Sequence, residues 1–202
     1  MSTDRRRAIL EGAARVIARR GVRGLRMEEL ATEAGVSTAL IYYHFKDRAG
    51  VLRHTLEFIS DRADRYTSDA SGPDHPDGHD GPEGPRDALQ ELEQSLLLEF
   101  QDLPEVRENS TAWGELRASA IFEPELREDL ARATLTWIYD VADLLGRIRP
   151  STPAPALTAA AERLTGLLEG LSTRWLSGAL PLDHARELVK EAASTEVERL
   201  GR

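Results

Sequence analysis

Apolar residues recur at three- and four-residue intervals along most of the chain, and no useful stretch alternates with the two-residue period of a strand. Ile9, Ala13, Val16 and Ile17 predict a first helix closed by Gly21, and Met27, Leu30, Ala31 and Ala34 a second. Gly35 is the residue type that ends a helix in a left-handed conformation at little steric cost. Val36 can then plug the corner, and Ser37 is a good N-cap for a third helix, Thr38 to Phe45. Leu40, Ile41 and Phe45 supply its inward positions, at least in part, and Thr38, Ala39, Tyr42, Tyr43 and His44 are left to face outward. Asp47 is placed to cap a fourth helix, in which Val51, Leu52, Thr55, Phe58, Ile59 and Arg62 keep helical spacing to about Tyr66.

The periodicity breaks at residues 68–87, where Gly, Pro and Asp dominate and no large apolar residue occurs, so a flexible loop is expected there. It then resumes. Leu89, Leu92, Leu96, Phe100 and Leu103 predict one helix stopped by Pro104; Val106, Trp113, Leu116 and Ala120 a second, ending near Pro124. Leu126, Leu130, Ala133, Trp137, Val141, Leu144 and Ile148 predict a longer one ended by Pro150. Two more cover Leu157 to about Ser177 and Asp183 to about Leu200. The expected architecture is all-α with about nine helices: an N-terminal three-helix unit over residues 1–53 and a larger helical domain over residues 54–202.

Short helix, glycine-containing turn, short helix is the layout that places a recognition helix in a DNA major groove. Charge supports it only after the chain is divided. The whole is acidic, with a net charge of −9. Residues 1–53 hold eleven Lys and Arg against six Asp and Glu, a net of +5, and the remainder fifteen against twenty-nine, a net of −14. Basic charge thus gathers on the segment that would meet phosphates. The run Arg5-Arg6-Arg7 reads equally well as part of that footprint or as a solvated tail.

The segment ELATEAGVSTALIYYHFKDRAGVL, residues 29–52, resembles the DNA-binding domain of the TetR/AcrR family of transcriptional regulators. Ala31, Ala34, Gly35, Val36, Ser37, Tyr42, His44 and Phe45 match its pattern, and the likeness extends over roughly residues 5–66. Arg26 stands where the family often has a small hydroxyl residue, and Arg48 where many members have lysine. The C-terminal segment ERLTGLLEGLSTRWLSGALPLDHAREL loosely resembles the dimer-forming end of such regulators, particularly the BetI-like branch.

The candidate DNA contacts are Arg26, Met27, Ser37, Thr38, Ala39, Tyr42, Tyr43, His44, Lys46 and Arg48. Arg26, Tyr42, Lys46 and Arg48 are placed for phosphates, and small Ser37, Thr38 and Ala39 for close approach to base edges. Tyr42 can bury its ring in the core and still offer its hydroxyl. No Arg, Asn or Gln lies between Ser37 and Phe45, so shape and apolar contacts are expected to share the specificity. His44 is read as a backbone neighbour, not as a metal ligand or catalytic base.

The resemblance implies a small-molecule effector bound among residues 88–178, where Phe100, Trp113, Arg117, Phe122, Trp137 and Tyr139 are the candidates, although aromatic residues at helical spacing are usually core. The apolar faces of the last two helices imply a homodimer, with Leu164, Leu168, Leu171, Trp175, Leu188, Val189 and Ala192 as its candidate surface, and Gly166 and Gly170 allowing close helix approach. A two-fold dimer would read a palindromic double-stranded operator.

Other chemistry is poorly supported. There is no cysteine, no phosphate-cradling glycine loop and no nucleophile elbow, so an enzyme is not expected. His75 and His79 lie among aspartates, but on a Gly-Pro stretch without a rigid element to fix metal geometry, so neither metal nor cofactor is expected. No apolar run suits a signal peptide or a membrane span, which predicts a cytoplasmic protein with no membrane partner. The expectation is a ligand-responsive homodimeric repressor that leaves its operator when effector binds; the alternative is a dimeric DNA-binding protein with no effector.

Overall fold

The computed structural model describes residues 2–70 and 85–202, which contain nine α-helices, two short 3-10 turns and no strand. They form two compact units. The first comprises Met1–Asp64 and Leu103–Ala133, the second Arg65–Asp102 and Thr134–Arg202. Most of the expected loop, including His75 and His79, lies outside the described residues.

In the first unit, α1 (Ser2–Arg20) leads through a 3-10 turn (Val22–Gly24) to α2 (Met27–Ala34), α3 (Thr38–Phe45) and the start of α4 (Arg48–Ala70). α6 (Pro104–Ser119), a second 3-10 turn (Pro124–Leu126) and the first turns of α7 (Arg127–Ile148) complete it. This departs from a division at residue 53. α6 packs on α1, and its Ala112 and Leu116, with Ala120 just after it, join Ile9, Ile17, Leu30 and Ile41 in one apolar core. Polar ties follow the same line: Glu115 accepts the Val22 amide, and Arg62 pairs with Glu108 at 3.4 Å. The unit closes only when a segment some fifty residues downstream supplies the missing side of that core.

Local chemistry sets each boundary. The Gly35 backbone is left-handed, φ 63° and ψ 39°, and the Val36 amide donates back to the Ala31 carbonyl at 2.9 Å, which ends α2 in a Schellman turn. Ser37 Oγ accepts from the Leu40 amide, and Asp47 Oδ1 from the Gly50 amide at 2.7 Å, so each caps the helix it precedes. α1 is tied to α2 by charge, with Glu33 receiving Arg15 at 2.7 Å and also Arg19, and Glu29 receiving Arg20 at 3.0 Å.

The second unit packs α5 (Pro85–Leu97), most of α7, α8 (Ala154–Leu176) and α9 (Leu182–Leu200) around Leu92, Leu96, Phe100, Leu145, Leu168 and Val189. The expected fifth helix ends six residues early. After Leu97 the chain turns, with the Phe100 amide on the Leu97 carbonyl at 3.0 Å, and Phe100 enters the core beside the Trp175 ring, while Leu103 becomes the N-cap of α6. Arg163 on α8 grips Glu196 on α9 with two hydrogen bonds of 2.7 and 2.6 Å.

These ion pairs and the close backbone approach at Gly50 are open to direct test. The arginines hold the Glu33 and Glu196 carboxyls below the ordinary carboxylate range, mainly by hydrogen bonding. Their stabilisation is therefore complete above the unfolded carboxylate pKa of about 4.3 and is lost as pH falls through the lower folded values. Thermal unfolding followed by circular dichroism should show a midpoint that drops on acidification below about pH 5, and Glu33→Gln with Glu196→Gln should lower the neutral midpoint and flatten the drop. An acid profile identical in wild type and variant would refute the assignment. Gly50 is the second case, since a Cβ there would lie 2.0 Å from the Phe45 carbonyl oxygen. Gly50→Ala should cost about 3 kcal/mol, the upper end for overpacking, in chemical denaturation. Gly114→Ala, where nothing lies within 4 Å, should gain up to about 1 kcal/mol.

Candidate nucleic-acid interface

α3 has eight residues, and only Ile41 and Phe45 are fully taken into the core, one turn apart on one face. Leu40 is half-buried. The opposite face carries Ala39, Tyr42, Tyr43 and Lys46, at the spacing that lines up side chains on one side of a helix. Tyr43 is 80% exposed and Tyr42 49%, so neither ring belongs to the core; Tyr42 resolves towards the surface reading. Ser37 is exposed at the helix start with its hydroxyl engaged as the cap, and Thr38 and His44 are half-buried, His44 with its ring edge-on to Tyr43. Large aromatic groups held on the outer face of a capped helix offer hydroxyl donors to phosphates and flat faces to sugar and base edges.

Lys46 follows directly. It is exposed and has φ 66° with ψ −53°, the only positive φ outside glycine among the described residues. Its amide still donates to the Tyr42 carbonyl, so the chain reverses there into the Asp47 cap of α4. A strained residue placed between two capped helices is held by its surroundings and keeps its charge at the foot of α3.

Two proposed contacts do not survive in the form expected. Met27 is buried, 6% exposed, because its side chain belongs to the apolar stripe of α2, so it cannot present that side chain to DNA. Arg48 is half-buried and turns its guanidinium to protein partners, donating to the Val22 carbonyl at 2.7 Å, the Leu25 carbonyl at 3.4 Å and Glu123 at 3.0 Å. It braces the turn before α2 and is not available as a phosphate contact. Arg26 differs: it is exposed at the N-cap of α2 and its side chain makes no capping bond.

Ion pairing sorts the cations of this unit. Arg7, Arg15, Arg19, Arg20 and Arg48 are matched to carboxylates. Among the described residues, Arg5, Arg6, Arg23, Arg26, Lys46 and Arg53 have no ion-pair partner. Arg53, exposed on α4, had no motif to mark it in the sequence; Arg6 could be seen only as one of a basic run. No group of three His, Asp or Glu among the described residues is arranged to hold a metal, and no described helix is long and apolar enough to cross a membrane.

The six residues expected to line an effector site divide between the units: Trp113, Arg117 and Phe122 in the first, Phe100, Trp137 and Tyr139 in the second. Phe100 is wholly buried with its ring 6.0 Å from that of Trp175, a packing position that leaves no face open. Phe122 is 72% exposed beneath the Arg23 guanidinium, and Tyr139 is also exposed. Trp113, Arg117 and Trp137 are half-buried.

The expected dimer surface needs a similar correction. Leu164, Leu168, Leu171, Trp175 and Val189 are all buried in the second unit's own core, because α8 and α9 must first cover each other. Leu188 and Ala192 are half-buried at its edge. The free face of α8 carries Leu167, Gly166 and Gly170 instead, and a Cβ built at either glycine would meet nothing within 4 Å.

Comparison with known proteins places this geometry. The family model of bacterial regulatory proteins of the tetR family matches residues 9–55, and that of the C-terminal part of BetI-type transcriptional repressors matches residues 88–198. No curated protein matches the sequence significantly. Among solved structures, one described as a TetR-family transcriptional regulator from Rhodococcus sp. is 43% identical, with 96% of this chain and 99% of that one covered and a TM-score of 0.82. A transcriptional regulator from Saccharomonospora viridis, solved in complex with choline, is 25% identical over 95% of each chain with a TM-score of 0.74. A TetR transcription regulator from Haloarcula marismortui shares the fold at 20% identity, with 98% of each chain covered and a TM-score of 0.73. With α3 presented on a helix-turn-helix and both family models matched in order, the chain belongs to the TetR family of DNA-binding transcriptional regulators, with a C-terminal part of the BetI type.

Proposed function

We propose that this regulator is a homodimeric repressor that reads a palindromic operator with α3 and leaves it when a small molecule binds the C-terminal part. The observation that carries the reading is the outer face of α3, where Ala39, Tyr42 and Tyr43 stand exposed and lead into Lys46; among the described residues neither Lys46 nor Arg26, exposed at the N-cap of α2, has an ion pair. The arrangement offers apolar and hydroxyl groups to a groove and a positive charge at the foot of the helix to a phosphate. One such helix makes few contacts, so two-fold pairing is the economical route to specificity. The exposed Gly166–Gly170 face of α8, with Leu167 beside it, is where a second subunit fits best. Residues 1–53 carry the reading function, and effector binding belongs to the residues beyond. Choline is the first effector to try, since a relative 25% identical binds it in the crystal.

A mobility-shift titration against the DNA flanking the gene, at two salt concentrations, tests the reading. A discrete shift at dimer stoichiometry that persists at the higher salt is expected, because sequence-specific contacts outlast screening of the phosphate term. Tyr42→Ala and Lys46→Ala should each abolish it while the protein remains a folded dimer by light scattering and circular dichroism. A shift retained by both variants would overturn the site assignment. If choline is the effector, millimolar choline releases the DNA; an unchanged shift excludes it.

A further inference from the structure

We propose that Arg6, in the second turn of α1, is a further DNA-positioning residue: a guanidinium held beside the end of the recognition helix to clamp a backbone phosphate. The proposal rests on the DNA-binding reading and adds a contact from a different helix.

Three consecutive arginines have three different fates. Arg7 is spent on Glu11, one turn along α1, at 2.9 Å. Arg5 is exposed and has no ion-pair partner among the described residues. Arg6 is half-buried, and its guanidinium carbon lies 5.5 Å from the centre of the Phe45 ring. Phe45 is the last residue of α3 and is itself 3% exposed, so this ring is a fixed platform. Among the described residues no carboxylate pairs with Arg6. A solvated tail would leave Arg6 as it leaves Arg5.

The chemistry of the stack explains what such a residue can do. A guanidinium over an aromatic face is attracted by the ring quadrupole, an interaction that does not consume its N–H donors as hydrogen bonds. Those donors match the oxygens of a phosphate in a bidentate fork. Phe45 also abuts Lys46, the exposed cation at the foot of α3, so the two charges flank the same end of the helix. Loss of side-chain freedom is met in advance by the stack, which is the advantage of holding a long cation before the ligand arrives.

The test uses the full-length protein and a duplex that the wild type itself selects from a random-sequence library. Affinity for that duplex is then measured by fluorescence anisotropy across a salt series for wild type, Arg6→Ala, Arg6→Lys and Arg7→Ala. Arg6→Ala should bind about ten-fold more weakly, the loss of one charge-assisted contact, and its log-log salt slope should be shallower by about 0.9. Arg6→Lys should keep the wild-type slope and lose part of the affinity, since charge remains and the planar stack does not. Arg7→Ala should match wild type. Unfolding midpoints of all four report any merely structural effect, which would move stability and leave the slope alone. An Arg6→Ala protein with wild-type affinity and slope overturns this proposal and leaves the DNA-binding reading standing. A wild type that enriches no duplex overturns the reading itself, and the proposal with it.

Discussion

An eight-residue helix cannot hold itself in water: it makes too few internal hydrogen bonds to offset the cost of nucleation. α3 is such a helix, so everything it does depends on the burial of Ile41 and Phe45 in a core built by other segments. Removing a buried phenylalanine side chain typically costs roughly 3–5 kcal/mol, comparable with the whole margin of many small domains. Phe45 bears additional duty. Its ring meets those of His44 and His54 and lies beneath Arg6, so residues from α1, α3 and α4 all converge on it. The outer face of α3 can be given over to recognition because the inner face is so fully committed.

The corner that follows shows the same dependence. Lys46 takes a backbone conformation that costs a non-glycine residue free energy, and Gly50 approaches the Phe45 carbonyl more closely than any side chain would permit. Both are tolerated because the Ser37 and Asp47 caps and the α2 turn fix the ends of the neighbouring helices. Backbone strain here is the consequence of bringing α4 back onto the core within two residues of the end of α3. It also keeps the Lys46 charge exposed at the foot of α3.

Charge is divided in this unit by a matching logic. Two of the three acidic residues of α2, Glu29 and Glu33, are neutralised by Arg15, Arg19 and Arg20 of α1. Arg48 is neutralised by Glu123 and occupied by two backbone carbonyls. Among the described residues of this segment, the cations Arg26 and Lys46 are left without an ion pair, and so are the carboxylates Glu28 and Asp47. Net charge alone, +5 over residues 1–53, does not distinguish these roles.

The helices, the Gly35 turn and the Ser37 and Asp47 caps were legible in the sequence, because each depends on residues within a few positions of one another. The gathering of basic charge on residues 1–53 was legible for the same reason. The tertiary structure decided which side chains are spent. Arg48 meets Glu123 seventy-five positions away, Val22 meets Glu115 ninety-three away, and no local pattern carries that information. Likewise the leucines of α8 and α9 announce apolar faces, but only packing shows that Leu164, Leu168 and Leu171 are used within the subunit while Leu167, Gly166 and Gly170 stay open. Periodicity tells which residues share a face; only the folded chain tells what that face meets.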